Sequence, residues 1–122
     1  MIRIAVAEDE ASWAQQLQSY LDRYARESGQ SFDVVLFPDG EDLVERYQGQ
    51  FDLIFLDPPY ASGLLEQALE DIARFDICRR HGIIVAESAA DKTLPPLSSP
   101  YSIYREYRYG KIKLTVYHRN ED

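Results

Sequence analysis

The chain has 122 residues, of which 45% are hydrophobic and 28% are charged, so we expect residues 1–122 to form a single folded domain. The formal net charge of −8 argues against nucleic acid and anionic membranes as partners, because proteins that bind phosphates usually carry a basic surface. The single cysteine, Cys78, excludes an internal disulfide and a metal site built from several cysteines.

The first half of the sequence alternates between strand-like and helix-like patterns. Residues 2–9 form a short apolar run that ends in acids, as is typical of a buried parallel strand. Residues 10–29 carry apolar side chains at helical spacing. Residues 31–37 and 51–57 are predicted strands, and the segment 38–50 between them is predicted to form a turn and a short helix.

The second half begins in the same way and then departs from the pattern. Residues 62–82 are predicted to be helical at least as far as Arg74, and a fourth strand is predicted from 82 to 88. Residues 91–100 hold three prolines without a helical period, which indicates a loop. Residues 101–120 read as a hairpin of two strands.

These elements predict an α/β fold. Right-handed crossovers between parallel strands give a three-layer α/β/α sandwich around a mostly parallel, doubly wound sheet. The predicted strand order is 2-1-3-4-6-5, with strand 6 antiparallel to its neighbours because the last two strands form a hairpin.

The first half resembles response-regulator receiver domains. The resemblance is carried by IRIAVAEDE (2–10), FDVVLFPDGEDL (32–43) and FDLIFLD (51–57). It implies that Glu8 and Asp9 bind Mg²⁺ and that Asp57 accepts a phosphoryl group. Adjacent parallel strands would place the three carboxylates at one edge of the sheet, and oxygen ligands suit a hard cation.

The second half resembles the C-terminal half of the bacterial 16S rRNA guanine-N2 methyltransferases, which are class I enzymes that use S-adenosylmethionine. The resemblance is carried by FDLIFLDPPYASGLLEQALEDI (51–72), GIIVAES (82–88) and YREYRYGKIKLTVYHR (104–119). It implies that the Asp57 side chain and the Pro58 carbonyl accept hydrogen bonds from the target amine, and that Tyr60 stacks on the base.

Each resemblance lacks residues that its family uses. A receiver carries a hydroxyl residue after strand four and a lysine after strand five. Ser88 could replace the hydroxyl residue, but Lys92 lies in a predicted loop. A methyltransferase uses a glycine-rich turn after strand one to approach its cofactor, whereas the turn at 7–13 contains no glycine.

The two resemblances meet at residues 51–57. We therefore interpret the sequence as an engineered chimera, with a flavodoxin-like, receiver-like half (1–57) and a Rossmann-like, methyltransferase-like half (58–122). A chimera of this kind predicts no dedicated activity and no enzyme. Two alternatives stay open: a receiver that binds Mg²⁺ and is phosphorylated on Asp57, and an S-adenosylmethionine-dependent N-methyltransferase that acts on rRNA guanine through Asp57-Pro58-Pro59-Tyr60.

The chimera interpretation also sets expectations for ligands and surroundings. We expect no cofactor, and Mg²⁺ at Glu8, Asp9 and Asp57 is the ligand that the acids favour. We expect a monomer without partners. No apolar stretch is long enough to cross a membrane and no signal peptide is visible, so we expect a cytoplasmic protein without a membrane partner. Five basic residues of the hairpin are expected to form a solvated strand face: Arg105, Arg108, Lys111, Lys113 and Arg119.

Overall fold

The computed structural model describes residues 1–47, 49–57 and 64–120, with the side chain of Leu64 left out. Within these ranges the chain forms a six-stranded sheet with three helices. In chain order the elements are β1 (Ile2–Glu8), α1 (Ala11–Ser28), β2 (Phe32–Phe37), α2 (Gly40–Arg46), β3 (Phe51–Asp57), α3 (Leu64–Phe75), β4 (Cys78–Ala89), β5 (Tyr101–Tyr109) and β6 (Ile112–Arg119).

The sheet has the strand order β2-β1-β3-β4-β6-β5, which confirms the predicted fold. Strands β1 to β4 are parallel, and β6 pairs antiparallel with both β4 and β5. The hairpin between β5 and β6 turns at Gly110, whose φ of 59° is a conformation that glycine adopts at little cost. The hairpin leaves β5 as the edge strand of the sheet.

Helices cover the two faces of the sheet unequally. Successive side chains of a strand point to opposite faces, and residues 4–8 of β1 are all buried, so both faces of β1 are covered. Helices α2 and α3 pack on one face, where Leu43, Leu69 and Ile72 join the main hydrophobic core. Helix α1 contacts β1 and β2 and covers the second face there.

The second face is more accessible over the remaining strands. The side chains that β3, β4 and β6 present there are only half-buried: Leu53, Phe55, Ile83, Val85, Leu114 and Val116. The residues that alternate with them along each strand point to the opposite face, and Ile54, Ile84 and Thr115 are examples that are fully buried. We refer to the surface of β3, β4, β6 and β5 on this second side as the open face.

The boundary between α3 and β4 differs from the prediction. Helix α3 ends at Phe75, and β4 begins at Cys78 rather than near residue 82. Asp76 stops the helix with a φ of 52°, and its carboxylate accepts hydrogen bonds from Arg119 and Tyr101. These partners are 43 and 25 residues away, so local sequence periodicity contains no information about them.

Within the described residues, no helix combines the length and the apolar character needed to cross a membrane.

Candidate active site at the carboxyl edge of the sheet

Two acids meet where the chain reverses its direction of winding. β1 is followed by β2 on one side and flanked by β3 on the other, so the β1–β3 boundary is the topological switch point of the sheet. Glu8 ends β1 and Asp57 ends β3, and the two residues are paired in the register of these strands. In open α/β sheets, ligands bind in the crevice outside the carboxyl ends of strands at such a point.

Glu8 is a buried acid with incomplete hydrogen bonding. Its side chain is 6% exposed, its Oε1 accepts the backbone N–H of Glu10 at 3.1 Å, and its Oε2 has no hydrogen-bond partner. Burial, followed by the hydrogen bond with Asp57, raises the pKa of Glu8 to about 8. Glu8 is therefore largely protonated at neutral pH.

Asp57 is held between two other acids. Burial is the main cause that raises the pKa of Asp57 to about 6, and hydrogen bonding with Glu87 of β4 is the next. The hydrogen bond from Glu8 acts in the opposite direction and favours the ionised form of Asp57. At neutral pH this arrangement gives an ionised Asp57 beside a protonated Glu8.

A cavity adjoins the acids on the side of β2. It has a volume of about 200 Å³ and is lined by Glu8, Asp9, the first turn of α1 and the end of β2, from Leu36 to Pro38. Asp9 is exposed at its rim. The cavity is therefore acidic on one wall and apolar on the other.

The structure places Glu8 and Asp57 in register at the ends of β1 and β3, and the exposed Asp9 follows Glu8. It does not support the predicted Mg²⁺ site, because no group of three or more His, Cys, Asp or Glu side chains in the described ranges is arranged to hold a metal ion. Pro58, Pro59 and Tyr60 lie outside the described residues. The role that the methyltransferase resemblance gives to Pro58 and Tyr60 therefore stays a prediction.

Sequence reasoning missed Glu87. The sequence does show that the apolar runs of β3 and β4 each lead into an acid, Asp57 and Glu87. In the structure these two acids follow the paired residues Leu56 and Ala86. Without the register of β3 and β4, however, nothing distinguished Glu87 from a solvent-exposed acid.

The residues considered as receiver partners do not join the acids. Ser88 is buried on the core face of β4, and its hydroxyl donates to the Ala89 carbonyl. Lys92 forms an ion pair with Glu66 of α3 at 2.9 Å. Neither the hydroxyl nor the cation of a receiver is therefore supplied to Asp57 by these two residues.

Comparison with known proteins identifies the family of the chain. Residues 2–118 match the family described as conserved hypothetical protein 95. The chain belongs to this family. The match extends from β1 to β6 without a break at residue 57, so one family accounts for both halves of the sequence.

Named relatives of this family member are methyltransferases. The chain is 28% identical over 68 residues to ribosomal RNA small subunit methyltransferase D of Escherichia coli strain K12. That match covers 56% of this chain and 34% of the relative, so it spans about a third of the relative's length.

Solved structures confirm the fold over the whole chain. A conserved hypothetical protein from Streptococcus pyogenes superposes with a TM-score of 0.71 at 23% identity, covering 98% of this chain and 86% of the other. The T. thermophilus 16S rRNA N2 G1207 methyltransferase, solved in complex with AdoMet and guanosine, gives a TM-score of 0.53 at 16% identity. It covers 100% of this chain and 36% of that enzyme.

These findings overturn the chimera interpretation. The chain is neither an engineered fusion nor a flavodoxin-like receiver fragment, because a natural family and its structural neighbours span the proposed join. The expectation that it is not an enzyme is wrong for the same reason, since the named relatives are methyltransferases. The receiver resemblance arose from acids at the ends of β1 and β3, an arrangement that parallel α/β sheets of different function share.

Proposed function

We propose that this family member is an S-adenosylmethionine-dependent methyltransferase that acts on the exocyclic amino group of a guanine in RNA. The observation that carries the proposal is the position of Asp57 at the carboxyl end of β3, followed in the sequence by Pro58-Pro59-Tyr60. The names of the E. coli relative and of the T. thermophilus neighbour support the reaction and the substrate class. The proposal replaces the expectation, drawn from net charge, that nucleic acid is not a partner.

Asp57 would act as the acceptor that orients the amine. The lone pair of a guanine amino group is delocalised into the ring, so it is a weak nucleophile until its N–H groups are held by acceptors. A carboxylate whose pKa is about 6 is largely ionised at pH 7 and can accept one of these N–H groups. Because its pKa is raised to about 8, Glu8 adds little further negative charge beside Asp57, which already neighbours Glu87.

The residues at the switch point fit the cationic part of the cofactor. S-adenosylmethionine carries an ammonium and a sulfonium, and the cavity beside Glu8 and Asp9 offers carboxyl oxygens, one of which is buried without a partner. The apolar wall from Leu36 to Pro38 can contact the uncharged part. When bound, the cofactor supplies the methyl group. Because the turn at 7–13 lacks glycine, these side chains rather than closely approaching backbone would hold it.

Two measurements on the full chain test the proposal. Isothermal titration with S-adenosylmethionine should show binding, and transfer of a tritiated methyl group to a guanine-containing RNA should be detectable with the wild-type protein. Asp57→Ala should abolish transfer and retain cofactor binding, whereas the exposed Asp91→Asn should change neither. Absence of cofactor binding at millimolar concentration, or full transfer activity in Asp57→Ala, would refute the proposal.

A further inference from the structure

The edge strand β5 exposes an unusual number of aromatic rings. Tyr104, Tyr107 and Tyr109 are 54%, 37% and 63% exposed, and all residues of β5 after Tyr101 are accessible. Tyrosines in a sheet usually pack against neighbours. A group of exposed rings on one strand instead marks a surface that contacts something else.

The register of the sheet places these rings on the same face as the candidate active site. Tyr107 is paired with Leu114 of β6, and Leu114 is paired with Glu87 of β4. Glu87 and Asp57 follow the paired residues Ala86 and Leu56, so they occupy the next position of the β3–β4 register. Residues paired across neighbouring strands present their side chains to the same face, so Tyr107 and Asp57 lie in one row of the open face. Three strand spacings of about 4.8 Å separate them by roughly 14 Å.

The other aromatic residues extend this row into a continuous surface. Tyr109 is paired with Ile112, two residues from Leu114 and therefore on the same face. Tyr104 follows a register shift in β5, and its ring stacks on His118 of β6 with the ring centroids 4.1 Å apart. The rings thus line the open face along β5, with Tyr107 and Tyr109 at the same edge of the sheet as the acids and Tyr104 farther from that edge.

Positive charge is concentrated on the same strand. The guanidinium of Arg105 lies 5.3 Å from the ring centroid of Tyr104 and 6.0 Å from that of Tyr107. In the described part of the chain, no carboxylate lies within ion-pairing distance of Arg105, Arg108 or Lys111. Of these cations, Arg105 lies on the open face with the tyrosines, Arg108 is paired with Lys113 and faces the other side, and Lys111 lies in the turn after β5.

The remaining basic residues of the hairpin serve the fold. Lys113 is buried on the core face, donates to the Lys92 carbonyl and pairs with Glu106 at 3.3 Å. Arg119 binds Asp76 through two nitrogens, each 2.7 Å from a carboxylate oxygen. The expected solvated strand face is thus wrong for these two residues, and Arg105 is the cation that lies beside the tyrosines.

We propose that the open face of the hairpin, formed by Tyr104, Arg105, Tyr107 and Tyr109, is a platform for single-stranded RNA. It would hold the bases that flank the guanine placed at Asp57, and in this respect it rests on the proposed function. Aromatic rings stack on bases of any sequence, arginine binds phosphates, and a sheet surface presents both to an unpaired strand. An acidic protein partner could pair with the cations, but its carboxylates would not stack on the exposed tyrosine rings.

Fluorescence anisotropy with a labelled 12-nucleotide single-stranded RNA tests the platform in the full chain. Tyr107→Ala should weaken binding by roughly 5- to 160-fold, which corresponds to about 1–3 kcal/mol for one stacked base. Tyr107→Phe should restore wild-type affinity, because stacking needs the ring and not the hydroxyl. Arg105→Ala should lower the slope of log Kd against log salt by about 0.7, the value expected when one phosphate of a single strand is no longer neutralised.

The matched control is Tyr20→Ala, which removes a tyrosine of similar exposure, 53%, from α1. It should leave the affinity unchanged. Equal loss in Tyr20→Ala, no loss in Tyr107→Ala, or tighter binding of an acidic polypeptide than of RNA would each overturn the platform.

Titration of S-adenosylmethionine into each variant separates the two proposals. Cofactor binding that persists in Tyr107→Ala while RNA affinity falls supports the platform. RNA binding that depends on Tyr107 in a protein that binds no cofactor would uphold the platform and refute the proposed methyltransferase. Cofactor binding and methyl transfer to RNA in a protein whose RNA affinity does not depend on Tyr107 would refute the platform and uphold the proposed methyltransferase.

Discussion

Glu8 and Asp57 end adjacent parallel strands in register, and burial, followed by the neighbouring Asp57 carboxyl, raises the pKa of Glu8 to about 8. Two ionised carboxylates so close together in a partly buried site would repel each other. Raising the pKa of one acid removes that repulsion and leaves the other free to accept a hydrogen bond. We therefore expect the titration of Glu8 to affect the stability of the protein and the titration of Asp57 to affect its activity.

The stability of the protein should fall as pH rises through the range in which Glu8 titrates. The pKa of Glu8 is raised from 4.5 to about 8, so the folded state binds this proton more tightly than the unfolded chain does. The stabilising contribution is complete below about 4.5 and is lost as pH approaches 8, with a slope of about 1.4 kcal/mol per pH unit for one proton. Urea denaturation at intervals from pH 5 to 9 measures it.

Two variants assign this slope to Glu8. Asp57 has a pKa of about 6, so Glu8 dominates between pH 6 and 8, and Glu8→Gln should flatten the stability curve there. Glu70→Gln, the same change at an exposed position of α3, should leave the slope intact. Stability that rises between pH 6 and 8 in the wild type would contradict the assignment. Asp76 and Glu66, whose pKa values are lowered by their basic partners, act in the opposite sense at lower pH.

Methyl transfer should increase with pH around the pKa of Asp57. The carboxylate form of Asp57 is a stronger hydrogen-bond acceptor for an amine than the protonated form, and its pKa is about 6. We expect kcat/KM to rise about tenfold per pH unit below that value and to level off above it. Rates that do not change between pH 5 and 7 would exclude an ionised Asp57 from the reaction. Cofactor affinity measured over the same range is the control for an effect on binding.

Replacing Lys113 should destabilise the hairpin. Lys113→Ala removes the donor to the Lys92 carbonyl and the partner of Glu106, and an unsatisfied buried acceptor costs roughly 1–3 kcal/mol. Lys111→Ala, in the exposed turn next to Gly110, should change the free energy of unfolding by less than about 0.5 kcal/mol. Guanidinium denaturation of both variants measures the difference, and equal effects would show that the Lys113 contacts contribute nothing.

The contact between Asp76 and Arg119 should fix β6 to the end of α3. Asp76→Asn keeps a residue type that tolerates the φ of 52° but loses the charge that binds the guanidinium. Since the Asp76 side chain is partly exposed, we expect a loss of about 1–2 kcal/mol in thermal or chemical unfolding. Asp91→Asn is the matched control in an exposed loop position. A loss in Asp91→Asn as large as that in Asp76→Asn would contradict the role of the contact.

Cys78 should be inert in the folded protein. It is fully buried, and burial raises the pKa of its thiol to about 12. Ellman's reagent should therefore react with the native protein only at the rate of unfolding and should release one equivalent of thiolate in denaturant. A Ser12→Cys variant, with the new thiol on an exposed turn of α1, should react at once with one equivalent.

Much of the fold could be read from local patterns. The strand-like runs, the helical spacing of α1 and the alternation in β6 predicted the order of elements and the antiparallel end of the sheet. The prediction was less accurate where a distant contact decides the local conformation. Asp76 stops α3 because Arg119 and Tyr101 hold its carboxylate. Lys113 reads as a surface residue although it is buried.

The error about identity has a related cause. Acids at the ends of β1 and β3 are compatible with more than one kind of α/β protein, and the turn without glycine directed the interpretation away from a methyltransferase. The family match over residues 2–118 removed that ambiguity because it evaluates the whole chain at once.

The sequence by itself determined which segments become strands and which acids lie at strand ends, since hydrophobic periodicity and turn-forming residues are local properties of the chain. Only the tertiary structure decided that Glu8, Asp57 and Glu87 share one face, and that Tyr107 lies in the same row. The physical reason is register: a shift of one residue in any strand pairing would turn a side chain to the opposite face. That register depends on packing between residues far apart in the chain.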